Sequence, residues 1–328
     1  MHRSKRFPKF LPIENSRPFT NEYRDITWLG EGTNAVVVSL KISRISLEEC
    51  FVLRIPKPLQ IPVVMEHICR DVTFSGLDLS HVNTVEYVVD MHYDHIRYIV
   101  NNARGCPHSQ VILNSEPDER CNVPQNASKM PKTCKFYRLS LFKKWSCSLH
   151  MFLEECKNVS HNGKIMDTES VCIVLEDVCK ALSRLHANNL IHMDIHTGNI
   201  LVDCTSKQRQ GGTFDYISKA CIIDFDLSLR NGQPMRPGNG LWDAWRKCPR
   251  NISKMFEASE DADIHALGLC IKEMLSAFRQ ETKNAEKDHY SLLYRIFEVT
   301  NERPALIRSA AIREIAIKMR HSVTRTRR

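Results

Sequence analysis

The chain has 328 residues, of which 42% are hydrophobic and 26% charged, with a formal net charge of +8 at pH 7. This is ordinary globular composition for one large domain or two smaller ones, and it is sufficient to bury a core. No apolar run is long enough to span a bilayer, and the N-terminus lacks the apolar segment of a secretion signal, so we expect no membrane association.

The number and spacing of the cysteines indicate whether the protein works in a reducing or an oxidising cellular compartment. The 13 cysteines are odd in number and scattered, without a Cys-x-x-Cys pair. This pattern is typical of reduced thiols rather than of a disulfide framework. We therefore expect an intracellular protein, in the cytoplasm, the nucleus or both.

Basic residues concentrate at both ends. Residues 1–22 combine them with Pro8, Pro12 and Pro18, which predicts an extended arm. Residues 321–328 form a basic tail. Such ends are more often solvated than bound to nucleic acid, so a nucleic-acid partner is not expected. Folded structure is predicted from about Tyr23 to residue 320.

A glycine turn follows the first predicted strand, Ile26–Leu29. The turn contains Gly30 and Gly32, and a second strand, Val36–Leu40, leaves it. Glycines let backbone N–H groups approach a phosphate closely. Because a strand rather than a helix follows the turn, a dinucleotide-binding fold is disfavoured.

Further elements of the N-terminal half follow from periodicity and proline positions. A helix is predicted from Pro62 to Val72. Residues 101–135, which are polar and contain four prolines, are predicted to be an inserted loop. The predicted strands are Cys50–Ile55, Val85–Asp90, Ile96–Val100 and Phe136–Phe142.

Helical patterns dominate the C-terminal half. The longest begins at Asp167 or Thr168, either of which can cap it, and carries apolar residues at helical spacing. The other predicted helices begin at Ser148, follow Asp261, or cover Tyr290–Val299 and Pro304–Met319.

The segment from Leu190 to Asp203 carries the clearest chemistry. Two apolar strand-like runs enclose a polar loop in which Asp194 and Asn199 are five residues apart. Asp194 can accept a proton from an attacking hydroxyl, and Asn199 can offer an oxygen to a divalent metal. A β-branched strand ends at Asp224, which can bind the same metal.

These motifs, in this order, resemble the catalytic core of the protein kinase superfamily. His-x-Asp-x-x-x-x-Asn runs from His192 to Asn199, and Asp-Phe-x begins at Asp224. The glycine turn resembles the kinase glycine-rich loop, and residues 263–268 resemble the helix that begins Asp-x-Trp-Ser-x-Gly. The resemblance covers about residues 25–320. Its many substitutions are reminiscent of kinases encoded by large DNA viruses.

The resemblance implies an α+β, bilobal fold. A small antiparallel N-lobe with one main helix would cover about 23–142, and a larger, mainly helical C-lobe about 143–320, with ATP between them. It also implies Mg²⁺, phosphoryl transfer to serine or threonine hydroxyls of protein substrates, and a backbone-holding role for Asp263. Oligomeric state is not indicated. The implied nucleotide-binding residues are Gly30, Gly32, Ala35, Val37, Val52, Arg54, Phe142 and Lys144.

The cation that binds the α and β phosphates departs from the family pattern. Arg54 stands where kinases carry lysine. Arginine keeps the charge but is longer and binds phosphate through a planar fork. The acid that orients it would be Asp71, whose shorter side chain suits the longer cation, or Glu66.

Three more departures leave other functions open. Met193 replaces the arginine that anchors a phosphorylated activation loop, and Arg250 replaces a structural glutamate. With Arg54, Arg250 favours a catalytically weak or inactive pseudokinase that acts as a scaffold. His196 stands where serine/threonine kinases have lysine, and the following Gly-Asn is also seen in small-molecule phosphotransferases of the aminoglycoside and choline type.

Overall fold

The computed structural model describes residues 9–12, 22–31, 35–43, 49–56, 85–105, 136–157, 163–209, 212–225, 227–234, 257–278, 287–302 and 307–326. The chain divides into two compact units. The first comprises Met1–Asp78 and Thr84–Lys144, and the second comprises Leu79–Asn83 and Trp145–Arg328.

The first unit is built on a six-stranded sheet, ordered β1-β5-β6-β4-β3-β2. All neighbouring strands are antiparallel except β1 and β5, which are parallel. The strands are β1 Lys9–Pro12, β2 Tyr23–Glu31, β3 Ala35–Ile42, β4 Phe51–Pro56, β5 Val85–His92 and β6 Phe136–Lys143.

Strand β1 lies within the predicted arm. We predicted that folded structure begins near Tyr23, but Lys9–Pro12 already pairs with β5. An extended arm and an exposed sheet edge both carry unpaired backbone groups, which favours their pairing. Pro12, which has no N–H to donate, is tolerated at such an edge.

One predicted strand of this unit was wrong. Residues Ile96–Val100 belong to helix α1, Tyr93–Asn101. Ile96, Ile99 and Val100 follow i, i+3, i+4 spacing and are buried in one cluster with residues of the sheet. Short apolar runs are compatible with either a strand or a helix, and here the packing of one helical face against the sheet decides.

The second unit is mainly helical. Its helices are α2 Leu149–Lys157, α3 Thr168–Ala187, α4 Glu260–Ser276, α5 Lys287–Glu302 and α6 Ser309–Thr326. Its strands are β7 Cys147–Ser148, β8 Gly163–Lys164, β9 Leu190–Ile191, β10 Ile200–Arg209, β11 Gly212–Ile222 and β12 Leu229–Arg230. They form one long hairpin, β10–β11, to which the short strands β7 and β8 pair, and a separate short pair, β9 and β12.

Helix α3 forms the centre of this unit. Asp167 is its N-cap and accepts a hydrogen bond from the backbone N–H of Ser170, as predicted. The helix packs against α6 and β11, and its apolar residues, from Val171 to Leu185, are almost fully buried. No helix of the described residues is long and apolar enough to cross a membrane.

The hairpin β10–β11 is longer than predicted. The sequence predicted strands only over Ile200–Val202 and from Cys221, but the ladder continues to the pair Arg209 and Gly212. Residues 205–208 are exposed and polar, so they carry no apolar alternation. The cross-strand backbone hydrogen bonds, rather than an apolar face, hold this part of the hairpin.

Candidate active site

The polar loop between β9 and β10 is held at both ends by strand pairing. Strand β9 pairs with β12, and β10 pairs with both β11 and β7. Within the loop, Thr197–Asn199 form a single 3-10 turn. Residues 192–199 therefore connect two strands whose positions are fixed by pairing.

Asp263, in the first turn of α4, anchors the loop backbone. Its side chain is fully buried and accepts hydrogen bonds from the backbone N–H groups of His192 and Met193, both at 2.9 Å. The backbone-holding role predicted for Asp263 is confirmed by these contacts. The N-cap of α4 is Ser259.

Met193 shows why this anchor is needed. Its φ of +69° lies in the left-handed region, which is unfavourable for a bulky side chain. Such a conformation persists only when surrounding contacts hold it, and it is concentrated at functional sites. Two hydrogen bonds to a buried carboxylate supply that restraint.

His192 has a structural role. It is fully buried, and the backbone N–H of Asp194 donates to its Nδ1 at 3.2 Å. Because Nδ1 accepts, the ring proton lies on Nε2, which donates to the carbonyl of Ile223 at 3.0 Å. The ring also contacts Phe225, with centroids 5.0 Å apart. His192 therefore ties the loop to the segment that carries Asp224.

Asp194 and Asn199 are brought together by two hydrogen bonds. The Asn199 Nδ2 donates to the backbone carbonyl of Asp194 at 3.0 Å and to its carboxylate Oδ2 at 2.9 Å. Both partners are acceptors, which fixes the orientation of the carboxamide. Its oxygen is then the atom that can be offered to a metal.

His196 lies beside the Asp194 carboxylate. Its Nε2 is 3.7 Å from Asp194 Oδ2, which is longer than a hydrogen bond, and the two groups form an ion pair only when the imidazole is protonated. The backbone N–H of Gly198 donates to His196 Nδ1 at 3.0 Å, so the proton that faces Asp194 is on Nε2. A Cβ added to Gly198 would lie 2.8 Å from this ring, so a side chain at position 198 would require the exposed His196 ring to move.

The charges in the loop shift the pKa values of Asp194 and His196 in opposite directions. Burial by itself raises the pKa of Asp194, but His196, His192 and the Asn199 amide outweigh burial and hold that pKa below its usual range. The Asp194 carboxylate raises the pKa of His196 against the effect of burial, and the charges of Asp224 and Glu273 act in the same direction. Asp194 is consequently a carboxylate at neutral pH.

Asp224 follows β11 in a left-handed conformation, with φ of +66°. Aspartate tolerates this region better than most residues. The preceding residue is fixed, because the backbone N–H of Ile223 donates to the carbonyl of Asn199 at 2.9 Å. This backbone hydrogen bond brings Asn199 next to the residue that precedes Asp224, so the two predicted metal ligands lie on neighbouring segments.

In the first unit, most predicted nucleotide-binding residues share one face of the sheet. Val37 pairs with Arg54, and Val52 with Phe142. These side chains alternate with a fully buried set that includes Val38, Leu53 and Leu141, so they point away from the core. The residues on the non-core face are half-buried: Val37, Val52, Arg54 and Phe142.

The other predicted residues of this unit lie around that face. Gly30 pairs with Val37, and a Cβ built on Gly30 would meet no atom within 4 Å. Ala35 is buried at the start of β3, and Lys144 is half-buried just after β6. Several predictions lie outside the described residues: Gly32, the helix from Pro62 with Glu66 and Asp71, most of the loop 101–135, and Arg250.

Comparison with known families identifies this arrangement. Residues 121–327, more than half of the chain, match the protein kinase domain. The chain belongs to the protein kinase family. The kinase match confirms the predicted α+β, bilobal class of fold. It begins after the glycine turn and Arg54, so the predicted roles of those residues depend on the sequence and on the sheet register alone.

A fungal kinase is also similar to this chain. The serine/threonine-protein kinase shk2 of Schizosaccharomyces pombe is 26% identical over 136 residues, which is 40% of the present chain. The chain spans about a fifth of the length of that relative, since the alignment covers 20% of it.

Two contacts of the kinase loop were not predicted from the sequence. His186, at the end of α3, donates from Nε2 to Asp263 Oδ2 at 2.9 Å. Thr197 donates from Oγ1 to Glu273 Oε2 on α4 at 2.7 Å. Both contacts join residues more than 70 positions apart. The only hints in the sequence were local: His186 follows the last large apolar residue of the long helix, and Thr197 lies two residues before Asn199.

Proposed function

We propose that this chain catalyses ATP- and Mg²⁺-dependent phosphoryl transfer to serine and threonine hydroxyls of protein substrates. The observation that carries the proposal is the position of the Asp194 carboxylate on a loop that Asp263 anchors and Asn199 orients. Membership of the protein kinase family and similarity to a serine/threonine kinase support this class of reaction.

Asp194 is the proposed base. Because its pKa lies below the usual range, the carboxylate form is present at neutral pH and can accept a hydrogen bond and then a proton from the attacking hydroxyl. Phosphoryl transfer depends mainly on positioning and charge stabilisation, so a fixed carboxylate matters more than a strongly basic one. The two hydrogen bonds from Asn199 supply that fixation.

The proposed metal-binding residues fit Mg²⁺ in their chemistry. The carboxamide oxygen of Asn199 and the carboxylate of Asp224 are hard oxygen donors. Mg²⁺ is typically held by one or two such protein groups together with substrate phosphates and water. When bound, Mg²⁺ would neutralise charge that develops on the phosphates.

Arg54 is the proposed cation for the α and β phosphates. It is half-buried on β4 and shares a sheet face with Val37, Val52 and Phe142, which we propose as the adenine-contacting residues. The open space at Gly30 suits a close approach of phosphate to backbone. We propose that Asp71 orients Arg54.

A second candidate function is transfer to a small molecule. The observation that favours it is His196, which is exposed, followed by Gly198 and Asn199, and directly beside Asp194. A histidine in this position adds a proton donor next to the base, where protein kinases carry lysine.

We propose an intracellular location, in the cytoplasm, the nucleus or both. The 13 cysteines are odd in number and scattered without a Cys-x-x-Cys pair, which suits a reducing compartment.

The substitution Asp194→Asn tests the proposal. It removes the proton acceptor while keeping the shape of the side chain, so transfer of labelled phosphate from ATP to generic protein substrates should fall about 10²–10⁴-fold. ATP affinity should change little. The matched control is Asp215→Asn, which alters a half-buried aspartate on β11 that hydrogen-bonds Ser206.

Three outcomes would change the assignment. Equal transfer by Asp194→Asn and Asp215→Asn would remove Asp194 from catalysis. Transfer to aminoglycoside or choline but not to protein would favour the second candidate. ATP binding that is independent of Mg²⁺, with no transfer to any acceptor, would identify a pseudokinase. Phosphoamino-acid analysis of the labelled protein tests the preference for serine and threonine.

A further inference from the structure

Two cysteines and a lysine form a cluster outside the proposed active site. Cys147 lies in β7, opposite Val202 of β10, and Cys204 follows two residues later on β10. The Lys164 Nζ of β8 is 3.4 Å from Cys147 Sγ. Both cysteines are half-buried and free, so small reagents have access to them.

The lysine is held in position by two other groups. Lys164 Nζ lies 2.9 Å from Glu155 Oε1 and 5.5 Å from the centre of the Phe152 ring, both on α2. Its side chain is only 13% exposed. An ammonium group restrained in this way acts on Cys147 more strongly than a mobile surface lysine would.

Hydrogen bonds next to Cys204 join β10 to Ser146, which directly precedes β7. Diagonal side chains of a regular antiparallel pair are about 7–8 Å apart. In the pairing of β10 with β11, a β-bulge lies between Asp203 and Cys204, so β10 is not regular at this point. The backbone N–H of Cys204 donates to Ser146 Oγ at 3.3 Å, and the backbone N–H of Ser146 donates to Asp203 Oδ1 at 3.2 Å. These contacts place Cys204 beside Ser146, the residue that directly precedes Cys147.

The cluster makes the two thiols unequal. The hydrogen bond from Cys204 and the charge of Lys164 lower the pKa of Cys147 to about 7, against burial and the charge of Glu155. The same hydrogen bond, with burial, raises the pKa of Cys204. The shared proton therefore stays on Cys204, and Cys147 is substantially a thiolate at neutral pH. By contrast, burial raises the pKa of Cys179 and Cys270.

We propose that Cys147 is a peroxide-reactive thiolate and that Cys204 resolves its oxidised form as an intramolecular disulfide. In the first step the Cys147 sulfur attacks a hydroperoxide, so that an S–O bond forms, the O–O bond breaks and the alcohol or water leaves after protonation. In the second step the Cys204 sulfur attacks the sulfenic acid, so that the S–S bond forms and water leaves. The two sulfurs lose two electrons, and the peroxide gains them.

The pH dependence of alkylation tests the first part of the proposal. In the parent protein, iodoacetamide should label Cys147 with a half-point near pH 7, measured by peptide mass spectrometry. Lys164→Met should lower labelling at pH 7 by roughly fivefold, which corresponds to a rise of about one pH unit in the half-point. The matched control is Lys207→Met, because Lys207 also has a carboxylate partner, Glu169, and an aromatic one, Tyr216.

Treatment with hydrogen peroxide tests the second part. The parent protein should yield a disulfide-linked peptide pair that contains Cys147 and Cys204. Cys204→Ser should instead accumulate sulfenic acid at Cys147, which dimedone traps. Cys50, which is half-buried in the first unit, serves as an internal reference and should remain largely unmodified.

Each contrary result overturns a defined part of the proposal. Equal oxidation of Cys147 and Cys50, or equal labelling of Cys147 in Lys164→Met and Lys207→Met, would overturn the reactive thiolate. Sulfenic acid at Cys147 in the parent, without a link to Cys204, would overturn the resolving role. These readouts do not depend on phosphoryl transfer, so they stand or fall separately from the proposed function.

Discussion

Replacement of Asp263 by alanine should destabilise the loop of residues 192–199 more than any nearby surface change. The side chain is fully buried and accepts three hydrogen bonds at 2.9 Å, from His192 N, Met193 N and His186 Nε2. Alanine leaves two buried backbone N–H groups unpaired, and each such group costs about 1–3 kcal/mol. The expected loss in the free energy of unfolding is therefore about 2–6 kcal/mol.

The substitution Asp263→Asn keeps the shape of the side chain but removes its charge, so it separates the two contributions to the free energy of unfolding. The single carboxamide oxygen of asparagine replaces two carboxylate oxygens, and its NH₂ group would face an N–H donor. Asp263→Asn should therefore lose about half as much, roughly 1–3 kcal/mol. Met193, whose left-handed conformation depends on the anchor, should respond most strongly in its local structure.

Urea denaturation of the parent and variants measures the loss, and amide hydrogen exchange localises it. Exchange at the His192 and Met193 amides should accelerate in Asp263→Ala and Asp263→Asn. Asp261→Ala is the matched control, since Asp261 lies in the same first turn of α4 but is half-buried. If Asp263→Ala unfolded within about 0.5 kcal/mol of this control, with unchanged exchange at both amides, the reasoning would be refuted.

Two further predictions concern Arg54 and His265. Arg54→Lys should fail to raise phosphoryl transfer, because an ammonium replaces the bidentate fork. Arg54→Ala should weaken ATP binding by about 1.5–3 kcal/mol, with little change in adenosine binding. A lysine variant that is markedly more active than the parent would show that Arg54 is a defect. Burial lowers the pKa of His265, and a backbone contact to Asn301 only partly offsets this effect. The unfolded state therefore binds more protons below pH 6.5, so the free energy of unfolding should fall as pH decreases from about 6.5 towards 5. The urea midpoint should depend less on pH in His265→Leu than in the control His150→Leu, which alters an exposed histidine. Identical plots of midpoint against pH for the two variants would exclude His265 as the group that causes the pH dependence.

Local patterns in the sequence predicted much of the framework. The two antiparallel strands on either side of the glycine segment, the capped helix that begins after Asp167 and the loop with Asp194 and Asn199 all follow from short-range rules for strands, caps and periodicity. The family resemblance added the order of these motifs. It correctly predicted that Asp263, although distant in sequence, holds the loop backbone.

Only the tertiary structure decided which distant groups meet. Residues 96–100 are helical because one face packs on the sheet, and the polar part of β10 is a strand because β11 pairs with it. His186 lies 77 residues from Asp263, and Cys147 lies 17 residues from Lys164. Local propensity cannot encode such pairings, because burial, hydrogen-bond partners and the resulting pKa shifts depend on how elements pack. The sequence thus determined which reactive groups the protein possesses, and packing determined which of them act together.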